Sequence, residues 1–309
     1  MNNIYEERLG TDKMLLLIFR MAMPAIAAQF VNLLYSIIDR IYIGHIPDIG
    51  TNALAGIGVT SSVIILVSSF SAIVGAGGSP LAAIALGQGD RKRAGKIIMS
   101  ILALGISPFI MASTESLVGF VLNSSLKEFG DIYISSLTVM QSAMLFVSVP
   151  LAGFSQGFIP VASYNYGHGN YDRVKECFRI VVTFMFSFNF ILIILMILFP
   201  HIVASAFTKD ILLIETVEKS MPIFLSGMTI FGLQRACQNM FVALGQAKVS
   251  VFIALLRKVI LLIPLALILP KFMGVNGIFA AEGFSDATAA IICTAIFAHQ
   301  FPKILKRVA

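Results

Sequence analysis

The chain has 309 residues, 58% of them hydrophobic and 12% charged, and 22 Lys and Arg against 16 Asp and Glu give a formal charge of +6. So little polar surface excludes a soluble globular domain and points to a polytopic membrane protein. The basic residues sit in short turns between apolar runs rather than along one face, which excludes a nucleic-acid surface.

In chain order, Met1 to Lys13 form a short polar start. The apolar run that follows is long, carries Arg20 and Pro24, and ends in no small-residue cleavage site, so it reads as a retained first helix rather than a signal peptide. Apolar runs cover 14–40, 53–86, 98–123, 131–163, 179–207, 220–243, 248–270 and 274–299. A hydrocarbon layer of about 30 Å takes about 20 helical residues, and lipid cannot satisfy open backbone, so each run is predicted as a helix. The expected fold is therefore all-α, with about eight transmembrane helices. Breakers bound the runs at Gly44 and Pro47, Gly87 and Gly89, Gly130, Gly167 and Gly169, Gly245 and Gly274.

Charge sets the expected orientation. Arg91, Lys92, Arg93 and Lys96, then Arg173, Lys175 and Arg179, then Lys248 fall on one side with both ends of the chain. The positive-inside bias places that side in the cytoplasm, giving a multi-pass protein of the cell membrane with both termini inside.

Two blocks repeat at a constant spacing. Pro80 matches Pro160, Gly87 matches Gly167, Gly89 matches Gly169 and Arg93 matches Arg173, while Pro24 and Pro108 fall at similar places upstream. Repeated hydrophobic units are common in secondary transporters. The Gly-x-Gly turns lack the spacing and terminal Lys-Ser/Thr of a phosphate loop, and read as helix caps beside positive charge.

A few ionisable residues interrupt the apolar runs. Asp39 ends the first run, as a cation or proton site or as an interfacial carboxylate. Glu115 lies well inside the third run beside small and hydroxyl residues, with Asn123 about two turns on, and needs a partner, a proton or a water-filled cavity. Gln234 and Gln238 share a helix face with Arg235 beside them, and Glu115 is one candidate counter-charge for that arginine. Arg257 and Lys258 lie near the cytoplasmic end of their run, where Lys258 is expected to snorkel. Glu282 and Asp286 are four residues apart and share a face, as a cation site, a proton site or partners of Arg257. Cys177, Cys237 and Cys293 are scattered, and the four histidines have no zinc spacing. No metal, cofactor or catalytic constellation is expected, and the protein is read as no enzyme.

Further residues carry a family resemblance. They are Met21-Ala22-Met23-Pro24, Asp39 with Arg40 and Gly44, the Gly87 and Gly89 turn, Tyr164-Asn165-Tyr166-Gly167, Asn170-Tyr171-Asp172-Arg173, Ala243-Leu244-Gly245-Gln246-Ala247-Lys248, Val275-Asn276-Gly277-Ile278, Ala281-Glu282 and Ser285-Asp286. With these the chain resembles the multidrug and toxic compound extrusion (MATE) transporters along almost its whole length. The resemblance implies two six-helix lobes that exchange drug cations for protons or sodium, with Asp39 matching a coupling carboxylate of the first helix. The chain is too short for twelve helices. It reads as two helices of a partial first lobe, residues 1–97, joined to a complete second lobe, residues 98–309. The implied function is antiport of small organic cations, within membrane lipid; a shortened protein that does not transport, or an exporter of a lipid-linked substrate, are the alternatives. Oligomeric state is not legible in the sequence.

Overall fold

The computed structural model describes residues 8–75, 79–90, 92 and 106–306, and every regular element among them is helical. Helices α1 (Met14–Gly44), α2 (Gly50–Gly75) and α3 (Ser79–Gly87) come first. They are followed by α4 (Ile106–Lys127), α5 (Asp131–Gly167), α6 (Tyr171–Leu198) and the short α7 (Pro200–Phe207). The junction expected near 97, with Arg93 and Lys96, lies outside the described residues.

Six helical segments among the described residues are long and apolar enough to cross a membrane: Met14–Gly44, Gly50–Ser68, Asp131–Gly167, Tyr171–Leu198, Ala247–Met273 and Val275–Lys306. This corrects the expectation of about eight. The run expected at 220–243 is broken in the structure into α8 (Ile211–Leu225), a 3₁₀ turn (Gly227–Ile230) and α9 (Phe231–Ala243). At 15 and 13 residues, neither helix spans a bilayer by itself. The run expected at 98–123 begins outside the described residues, and its helix α4 is not among the six.

The break in the 211–243 segment is tolerated because its freed carbonyls are capped. Asn189, on the apolar helix α6, donates from Nδ2 to Met228 O at 2.7 Å and to Thr229 O at 3.1 Å. A buried backbone acceptor in lipid needs such a donor.

Helix α5, about 55 Å long at 1.5 Å per residue, is the spine of the molecule. Helix α1 lies along α5, and α2 lies along α4, so each N-terminal helix packs chiefly on a helix of the second repeat. Phe19, Phe154 and Phe184 tie α1, α5 and α6 together, with ring centroids 4.3 to 5.6 Å apart. The repeated turns also meet. A Cβ on Gly87 would overlap Tyr164 O, and a Cβ on Gly167 would overlap Ile84 O. Because 84 pairs with 164 and 87 with 167 in the repeat, the two approaches are one contact made twice about a local two-fold.

Beside that contact, Asn165 donates from Nδ2 to Leu9 O at 2.9 Å and accepts from Arg173 Nε at 3.1 Å. Arg173 Nη2 also donates to Asp12 O at 2.7 Å. The basic turn thus holds the backbone at Leu9 and Asp12.

Candidate functional site

The site is assembled where backbone irregularities meet. The segment Ala247–Met273 comprises α10 (Ala247–Leu255), a π turn (Leu256–Leu262), α11 (Ile263–Ile268) and α12 (Pro270–Met273), and the last helix is α13 (Val275–Lys306). The widened π turn lets the consecutive Arg257 and Lys258 both face inward, with side chains only 11% and 8% exposed. Ser285 of α13 donates its hydroxyl to Arg257 O at 2.6 Å, capping the distorted backbone. On the other flank Gly227 lies against Gly283, where a Cβ would overlap the Gly283 carbonyl. That close approach sets the 3₁₀ turn beside Glu282.

The charges interlock. Lys258 Nζ is 3.1 Å from Glu282 Oε1 and 3.5 Å from Glu115 Oε1. Arg257 Nε is 2.7 Å from Asp286 Oδ1, an ion pair whose N–H is not aligned on the oxygen, and its Nη2 is 4.0 Å from Glu282 Oε1. Asp286 is fully buried, and both its oxygens, with Glu282 Oε2, lack an aligned donor among the described residues. Such acceptors are stabilised by a proton or a bound cation. The expectation that Lys258 snorkels is overturned: its ammonium is buried and held by two carboxylates, which replace the water it would otherwise reach.

A cavity of about 420 Å³ opens over this network, walled by α1, α2, α4 and α5 on one side and by α8, the 3₁₀ turn, α9, α10, the π turn and α13 on the other. Glu115, Gln234, Arg235, Gln238 and Glu282 line it. Glu115 is 51% exposed, towards the cavity it lines. Asp286 sits behind Arg257, outside the lining. Asn123 also lies outside it and donates from Nδ2 to Gly58 O at 3.1 Å. Asp39 is exposed and does not line the cavity, whereas its neighbour Arg40 does and donates from Nη1 to Ser142 Oγ at 2.6 Å. Arg235 is not bridged to Glu115; Lys258 takes that carboxylate instead.

Sequence reading missed Arg40, Gln141, Ser148 and Asn239 as cavity residues. A signal existed for α5: Thr138, Gln141 and Ser148 fall on one helical face, a polar stripe in an apolar helix. Arg40 carried no such mark, because adjacent residues on a helix point in different directions. A larger hollow of about 630 Å³ opens between α1 and α6, lined by Leu15, Phe19, Phe184 and Phe188. Its open and almost wholly apolar lining gives it no chemistry, so the smaller, charged cavity is the candidate.

Comparison with known proteins agrees with the all-helical membrane fold. The MatE family model matches twice, over residues 24–114 and 108–268, and the two matches begin at Pro24 and Pro108. The chain is 22% identical over 196 residues to the multidrug export protein MepA of Staphylococcus aureus (strain bovine RF122 / ET3-1), covering 63% of this chain and 43% of that protein. It is 22% identical over 200 residues to MepA of Staphylococcus saprophyticus, again covering 43% of the relative. The match thus spans less than half the length of these relatives. Among solved structures, an outward-facing multidrug resistance MATE family transporter of the MOP superfamily superimposes with a TM-score of 0.80 at 14% identity, over 97% of this chain and 98% of that one. The MATE multidrug transporter DinF-BH, solved as a complex, gives 0.77 at 20% identity over 95% and 97%.

Proposed function

Since this chain belongs to the MatE family of multi-pass membrane proteins, we propose that it is a secondary active antiporter that exports small amphipathic organic solutes in exchange for protons or sodium ions. In this reading α1, α2, α4 and α5 supply one wall of the cargo cavity, with Glu115, and α8, α9, the π turn and α13 supply the other wall and the rest of the ion network. The basic turns and both ends of the chain face the cytoplasm. The carrying observation is the 420 Å³ cavity floored by Glu282, Lys258 and Arg257, with carboxylate oxygens that have no aligned donor. Its size suits a drug-sized molecule.

The network gives the coupling step a physical form. A proton or sodium ion arriving at Glu282 or Asp286 competes with Lys258 and Arg257 for the carboxylates. Displaced from Glu282, Lys258 shifts its charge towards Glu115 and the cargo. An ion bound on one side of the membrane thereby changes cargo affinity, and opposite exposure of the cavity completes the cycle. Organic cations, the cargo implied by the resemblance, would use Glu115 once Lys258 has left it. Asp39 lies outside the cavity and takes no part in cargo contact in this reading.

The test is flux of a fluorescent organic solute in proteoliposomes under separate pH and sodium gradients. Glu282→Gln is expected to lower gradient-driven flux by about tenfold or more while protein remains monodisperse. Undiminished coupled flux would remove Glu282 from the mechanism. The second reading, a shortened membrane protein that does not transport, rests on the 43% span of its relatives. Absence of flux under both gradients would establish it.

A further inference from the structure

The cavity is unbalanced in charge. Arg40, Arg235, Arg257 and Lys258 line it, against Glu115 and Glu282. Counting Asp286 behind Arg257 still leaves one cation in excess. Asp39 does not close the gap, because it is exposed outside the lining and makes no ion pair within 4.0 Å among the described residues.

The imbalance is localised. Lys258 and Arg257 consume all three carboxylates of the network. Arg40, arriving from α1, donates to the neutral hydroxyl of Ser142 and makes no ion pair within 4.0 Å among the described residues, although Asp39 beside it in the chain acts on it at longer range. Arg235, arriving from α9, has no hydrogen-bond partner and no carboxylate in ion-pair contact among the described residues; the face of Phe231 lies 5.8 Å from its guanidinium carbon to the ring centroid, and Glu115 acts on it only from beyond ion-pair distance. Arg257 stands over the same ring at 4.4 Å. A guanidinium at membrane depth is normally paired, and its planar fork matches a carboxylate or phosphate. Among the polar side chains the lining also offers an apolar surface, from Ile65, Leu122, Met144, Leu145 and Phe224.

We infer that the cargo of this cavity is an amphipathic organic anion, whose carboxylate or phosphate is held between Arg40 and Arg235 while its apolar body packs on Phe231 and the aliphatic wall. This rests on the transporter reading for the word cargo; the anion site itself stands on the two guanidinium groups that no carboxylate bridges among the described residues. Glu115 has the opposite role from the one expected of it in a cation site. It neutralises Lys258 and so limits how tightly the anion is held.

Two xanthene dyes of opposite charge separate the outcomes. Carboxyfluorescein and rhodamine 6G are titrated by fluorescence polarisation into purified protein in phosphatidylcholine nanodiscs, and their flux is followed in proteoliposomes. Carboxyfluorescein is expected to bind in preference to rhodamine 6G. Arg235→Gln and Arg40→Gln should each weaken it about tenfold, the scale of one lost charge-assisted hydrogen bond. Arg235→Lys should recover part of that affinity and shows that the loss is not misfolding. Glu115→Gln should strengthen carboxyfluorescein binding, whereas a cation site would lose rhodamine binding on the same change. Adding phosphatidic acid to the discs identifies the anion source: competition assigns the site to a lipid headgroup phosphate, and none assigns it to a free organic anion, either of which supports the inference. Preference for rhodamine 6G, or no binding of either dye, overturns it. Preferential rhodamine transport leaves the antiporter reading standing. Carboxyfluorescein binding without flux under any gradient removes the antiporter reading and leaves the anion site.

Discussion

Two acidic residues in apolar helices, Asp39 and Asp286, have opposite fates. Asp39 ends up exposed on α1, with its neighbouring arginine turned into the cavity. Asp286 is fully buried on α13 and pressed against Arg257. The difference follows the packing of their helices. In the most apolar window of α1 only 22% of residues are buried inside the protein, against 33% for α13. A carboxylate on a thinly covered helix can remain at a surface, whereas one inside a bundle requires a cation. Position within an apolar run therefore says little about a charge until its neighbours are known.

This contrast can be broken by mutation, and the largest effect is expected at the buried network. Lys258→Ala leaves Glu282 without its closest cation and Glu115 without its bridge, and should cost about 3–5 kcal/mol, the usual penalty for stranding one half of a buried pair. Unfolding in lipid–detergent mixtures measures it, and a loss no larger than that of a surface substitution would mean the network is solvated. Next come the repeated glycines. Gly87→Ala and Gly167→Ala each push a Cβ into a backbone carbonyl and should cost about 1–3 kcal/mol, by equal amounts if the two-fold contact is real. Ser142→Ala removes the hydroxyl that Arg40 donates to and should cost about 0.5–1.5 kcal/mol. Asp39→Asn is expected to change stability by less than about 0.5 kcal/mol and to leave gradient coupling intact. Loss of coupling in that variant would bring the two carboxylates back into one mechanism.

Much of the fold was legible in the sequence. Apolar runs, breakers and the 80-residue repeat located most of the helices and matched Gly87 with Gly167, but that the repeated turns pack on each other was not legible. The count of crossings was not legible, because 220–243 looks continuous by hydropathy yet contains a 3₁₀ break at Gly227–Ile230. Nothing local forces that break. It is held open by Asn189 on α6 and by the approach of Gly283 on α13. Of the candidate site, Glu115, Gln234, Arg235, Gln238 and Glu282 were named from spacing and the scarcity of polar groups, and all line one cavity. Lys258 was misjudged because snorkelling is the normal outcome for a lone lysine near a helix end, and the carboxylates that retain it lie on helices distant in sequence.

The sequence by itself determined the membrane setting, the helical class, the repeat and the short inventory of charges that lipid would not ignore, since all of these follow from composition and local spacing. Tertiary structure decided which charges share a cavity, which carboxylates Arg257 and Lys258 take, and that Arg40 and Arg235 make no ion pair among the described residues. Ion pairing at depth is set by distances of a few ångströms between helices far apart in the chain, and helical periodicity carries no information about those distances.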